Sequence, residues 1–189
     1  MQIQAELAEV ASWQALIAEA EAHCGRQLDE SLQSYLVFML MRQLRRADLG
    51  SSALGLRLLE QQRRPGSGLR DLGDECLTVA GLFPELARRR LVQVSYYVSL
   101  GRSAYGQLAE RLSQGQAELF EELTDGFVAL MEVLHGVRAL GGDEPLSPLE
   151  CAELWRDTGS QRAADRLREL GGDGGAIIPA DQRGLDRRH

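Results

Sequence analysis

Apolar side chains recur along most of this chain at steps of three and four residues, the spacing that lines one face of an α-helix. Leu7, Val10, Trp13 and Ile17 set the first stripe and predict a helix from about Gln4 to His23, stopped by Gly25. A second helix starts at Asp29 or Glu30 and runs to about Arg46. Its centre, Tyr35 to Met41, is apolar all round, so it is the expected central core helix. Asp48 to Ser52 reads as a turn whose serine caps a short third helix ending near Gln62. Arg63 to Gly68 (R-R-P-G-S-G) then breaks the pattern without separating two cores.

Leu69 to Leu112 is the stretch against which the other helices are expected to pack. A helix from about Leu69 to Phe83 turns a corner at Pro84, a residue suited to a first helical turn but not to a helix interior. One long helix to about Leu112 should follow, with Leu91, Val94, Val98, Tyr105, Leu108 and Leu112 on its apolar face. Gly101 and Gly106 interrupt it, each at about 1 kcal/mol relative to alanine. Phe120, Leu123, Phe127, Leu130, Met131 and Leu134 predict another helix from Gln116 to Leu140, ended by Gly141-Gly142. Ser147-Pro148-Leu149-Glu150 is a capping box that opens a helix to about Asp157. Thr158-Gly159-Ser160 opens the last one, to about Leu170.

No stretch alternates with the period of a strand. The expected fold is therefore all-α: a single domain over residues 1–170, built as a bundle or orthogonal array of seven to eight helices. Residues 171–189, glycine-rich and without periodicity, are expected to form a flexible, disordered tail.

Composition narrows the setting more than the chemistry. Lysine and asparagine are both absent, a bias that points to a GC-rich, bacterial genome. A formal charge of −7 disfavours a general nucleic-acid binder, which needs a positive field against phosphates. The N-terminus lacks a basic segment followed by an apolar one, so no signal peptide is expected. The longest apolar run spans seven residues, against the roughly 20 that a membrane helix needs. Cys24, Cys76 and Cys151 are odd in number and far apart, which favours reduced thiols in a cytoplasm.

Glu132 and His135 share the E-x-x-H spacing of carboxylate-bridged metal bundles and are the candidate metal pair, with Glu132 expected nearer solvent. The plainer reading is a histidine at the edge of a core stripe. Ser95, Ser99, Ser103 and Gly106 fall on one side of the long helix, where small residues allow close packing or a partner's approach. Tyr96, Tyr97, Arg102 and Tyr105 beside them could wall a pocket for an acidic small molecule. Arg88 and Arg89, within an arginine triplet, form a solvated face or a docking edge. The last two helices have the lengths of a helix-turn-helix, yet Asp165 and Glu169 interrupt their arginines. Acidic pairs such as Asp74-Glu75 read as ordinary helix-start or turn residues. No nucleophile elbow, P-loop, dinucleotide fingerprint or H-E-x-x-H is present.

These patterns favour a non-enzymatic protein-binding module that engages another protein or itself, with no cofactor expected. The alternatives are a small-ligand or metal-binding bundle, oxidase-like in one form, and a small DNA-binding regulator.

Overall fold

In a computed structural model of the chain, the residues described are 2–43 and 67–171. The expected third helix, the turn before it, most of the R-R-P-G-S-G break and the tail beyond Gly171 lie outside them. Among the described residues the protein is all-α: α1 Gln2–Cys24, α2 Glu30–Gln43, α3 Ser67–Leu82, α4 Pro84–Arg89, α5 Val94–Ala109, α6 Gln114–Asp125, α7 Phe127–Leu140, α8 Pro148–Thr158 and α9 Gln161–Gly171. No described helix is long and apolar enough to cross a membrane.

The buried centre is α3 rather than α2. Every residue from Leu72 to Leu82 is buried, whereas α2 turns Phe38 to solvent. Helix α3 packs most extensively on α5 and then on α7, with α2 and α4 at its flanks. Small residues make this possible. The Tyr105 ring covers Gly73, and Phe127 lies where a side chain at Gly101 would stand, so α3, α5 and α7 approach closely. Gly101 therefore causes no break in α5; it is a packing site.

Two helices read as continuous are each divided in two. The expected Pro84–Leu112 helix stops at Arg89 in a Schellman turn, with Val92 N–H donating to the Ala87 carbonyl (3.2 Å) and Leu91 N–H to that of Arg88 (3.0 Å). Such a turn places its C′ residue at positive φ, normally a glycine; here it is Leu91, at φ 57°. The leucine expected on the core stripe is thus 94% exposed. The expected Gln116–Leu140 helix breaks at Gly126, which leaves α6 and α7 as separate rods.

Candidate functional site

Among the described residues two carboxylates, Asp74 and Glu132, have no exposed surface, and their surroundings differ. Asp74, in the middle of α3, accepts from Tyr35 Oη (2.6 Å) and Tyr105 Oη (2.8 Å) on Oδ1 and from Arg42 Nη2 (2.5 Å) on Oδ2. Burial, then the nearby Asp74 charge, pushes both phenols up, so they stay protonated donors. The Tyr35, Tyr105, Phe120 and Phe127 rings close around this node. It ties α2, α3 and α5 together within the core. The acid read as a helix-start residue is a core anchor.

Glu132 of α7 is the second. Its Oε2 accepts from Arg26 Nε (2.5 Å), and its Oε1 from Ser160 Oγ (2.7 Å) and the Arg162 backbone N–H (3.1 Å). Ser160 Oγ in turn accepts from Ala163 N–H (3.2 Å), the geometry of an N-cap. Glu132 therefore anchors the N-terminus of α9 from another helix, where the positive end of the helix dipole favours a carboxylate. The expectation that it lies nearer solvent is corrected: it has no exposed surface, because three donors replace its water. One turn on, His135 Nε2 lies 3.0 Å from the Ala80 carbonyl. Burial, then repulsion from Arg138 and Arg162, lowers its pKa to about 4 and keeps the imidazole neutral near pH 7. Both Glu132 oxygens and one ring nitrogen are thus committed within the protein. No group of three metal-capable side chains converges among the described residues.

Beside this second node opens a cleft of about 530 Å³, within the usual range for small-molecule sites. Its walls come from the last turn of α1 (His23, Cys24), the end of α7 (His135, Arg138), the connection Asp143–Leu146, Cys151 of α8 and the inner face of α9. Local sequence builds each wall. Gly142, at φ 80°, ends α7 in a Schellman turn, with Asp143 N–H on the Arg138 carbonyl (3.1 Å), and swings the connection back over the helix end. The Ser147–Glu150 capping box starts α8. Gly159, at φ 71°, ends it and lets α9 fold back across the opening.

The inner guanidinium of the cleft is short of hydrogen-bond acceptors. Arg138 is nine-tenths buried, at 10% side-chain exposure. Its five N–H donors find one acceptor among the described residues, the Glu144 carbonyl at 3.1 Å from Nη2. Its Nε is buried and donates to nothing, and its nearest carboxylates, Asp143 and Glu85, stand at 3.9 and 4.0 Å. Arg162 faces it from α9 without an ion-pair partner among the described residues. The two thiols lining the cleft, Cys24 and Cys151, are both pushed up by burial, so neither is an activated nucleophile near neutral pH.

The other candidate residues are dispersed. Tyr105 is sealed against Asp74, Tyr97 is buried with its pKa raised by burial against the pull of Arg90, and Tyr96 is on the surface. These three and Arg102 do not share a cavity. Arg102 Nε instead donates to the Thr124 carbonyl at the end of α6 (3.0 Å). Ser95, Ser99, Arg102 and Ser103 of α5 line a second, shallower groove of about 370 Å³, together with Asp157 and Thr158 of α8. Ser95 Oγ crosses it to Asp157 (2.8 Å). Gly106 lies beyond it, with Thr124 its nearest neighbour. Arg88 pairs with Glu150 of α8 (3.2 Å) while Arg89 is exposed; Leu91 projects from the turn that ends α4 and Leu149 from the first turn of α8. Two of the three α9 arginines pair along their own helix, Arg166 with Glu169 (3.0 Å) and Arg168 with Asp165.

No protein-family model, curated protein or solved structure matches this chain.

The cleft itself was not foreseen. Its residues come from five separated segments; the sequence marks His135 by its E-x-x-H spacing and Arg162 and Arg166 by their charge, but not their convergence.

Proposed function

We propose that this is a non-enzymatic, cytoplasmic small-ligand-binding protein whose main cleft holds an acidic group between Arg138 and Arg162. One observation carries the reading: a nine-tenths buried guanidinium with a single good acceptor lines the cleft of about 530 Å³ beneath α9. A buried guanidinium short of hydrogen-bond acceptors is costly, and a bidentate anion is the partner that arginine geometry favours. The earlier preference for a protein-binding module gives way to its small-ligand alternative, moved from the tyrosine face of α5 to the cleft beneath α9. Pairing of Arg166 and Arg168 with Glu169 and Asp165 weighs against the DNA-regulator reading.

The test is calorimetric or NMR titration of the full chain with inorganic phosphate and succinate. Saturable binding, weakened about tenfold or more by Arg162→Gln and by Arg138→Gln, is expected. Absence of binding, or binding indifferent to both substitutions, would overturn the reading. Arg162→Gln is the cleaner variant because that side chain is only half-buried.

A protein-docking reading keeps one specific observation in its favour. Leu91 occupies a left-handed backbone position at 94% exposure, and Leu149 projects beside the Arg88–Glu150 ion pair. A self-associated species in sedimentation, dispersed by Leu149→Ser, would favour it.

A further inference from the structure

The cleft is charged in layers. Arg138 lies on its inner wall at 10% side-chain exposure, with Arg162 half-buried opposite. Asp143, at 62% side-chain exposure, and the exposed Glu144 stand at the mouth. On the α9 wall Arg166 pairs with Glu169 (3.0 Å), and Asp165, which also lines the cleft, pairs with Arg168, which leaves the contrast between inner guanidiniums and outer carboxylates standing. The two layers are close: Asp143 Oδ2 is 3.9 Å from Arg138 Nε. At that separation the two form an ion pair without a hydrogen bond, so the Arg138 Nε donor stays unsatisfied. An anion alone must pass and then sit beside like charge, whereas a cation alone meets like charge at the wall.

We infer that the ligand is a small zwitterion, with its carboxylate or phosphate held by Arg138 and Arg162 and its primary amine, a short spacer away, held by Asp143 and Glu144. This rests on the small-ligand reading above and adds the second half of the molecule. The mouth then works as a filter, since a ligand lacking the amine leaves its carboxylates repelling the bound anion. Turn geometry brings the mouth next to the wall: Asp143 follows Gly142 in the Schellman turn, and its N–H is bound to the carbonyl of Arg138 itself.

Two matched sets of probes test it on the full chain by titration: phosphoethanolamine against ethyl phosphate and ethanolamine, and β-alanine against propionate and propylamine. In at least one set the zwitterion should bind about tenfold or more tightly than either fragment. In Asp143→Asn/Glu144→Gln, two surface positions, that advantage should collapse while the bare anion binds as well or better. If ethyl phosphate or propionate binds the unaltered protein as tightly as its zwitterion, the inference is overturned and the anion site stands. If the zwitterions and the anions all fail to bind, or Arg162→Gln leaves their affinity unchanged, both fall.

Discussion

Asp74 and Glu132 are both carboxylates without exposed surface, both paired with an arginine and both satisfied by hydroxyl donors. Their neighbours differ. Asp74 has tyrosines on either side and aromatic rings beyond, so its network ends in the core. Glu132 has Ser160 and the Arg162 backbone, which belong to the approach to α9, and beyond them lies the cleft. The first node fixes how α2, α3 and α5 meet. The second fixes where a helix that packs mainly on α8 lies over an opening. Similar chemistry closes a core in one place and holds a site open in the other.

The largest effect should come from Asp74→Ala, which strands two buried hydroxyls and the Arg42 charge. A loss of about 3–5 kcal/mol is expected in urea denaturation, with Asp74→Asn losing less. A loss below about 1 kcal/mol would remove the node from the account.

His135 sharpens the contrast on the cleft side. Its pKa is lowered in the fold from 6.5 to about 4, so the unfolded chain binds the extra proton in that window. Stability from this group is complete above about pH 6.5 and declines as pH falls towards about 4, by up to about 3 kcal/mol. Urea midpoints of His135→Gln measured in parallel should show a correspondingly flatter decline; parallel curves would refute the assignment.

Leu91→Gly should give the smallest change, and the opposite sign. It relieves a left-handed leucine that buries almost nothing, a gain of up to about 1 kcal/mol. A destabilised variant would mean that Leu91 makes contacts its exposure does not reveal.

Helical class was legible because stripes such as Phe120–Leu123–Phe127 repeat at helical spacing, and the Ser147–Glu150 box marked a start that the fold uses. The stop at Arg89 was not, because the Schellman turn there carries leucine where glycine is the usual signal. The central place of Leu69–Leu112 was legible, but the complete burial of α3 was hidden by Asp74 and Glu75, whose polarity suggests a surface until their surroundings are known. Residues of the candidate site were visible one at a time. Glu132 and His135 drew notice through their spacing, and Arg162 and Arg166 through their charge. Their convergence with Cys24 and Cys151 depends on contacts between α1, α7, α8 and α9, which no local pattern encodes.

Amide hydrogen exchange on Glu132→Gln, set beside Asp74→Asn, tests the division of labour most directly. Glu132→Gln should raise exchange along α9 about tenfold or more while α3 keeps its protection; a cost of about 1–3 kcal/mol confined to that helix is what loss of the charged anchor implies. Asp74→Asn should instead lower protection across α2, α3 and α5 together. If α9 exchanges unchanged in Glu132→Gln, or α3 loosens as much as α9, then the buried glutamate is another core anchor and the cleft does not depend on it.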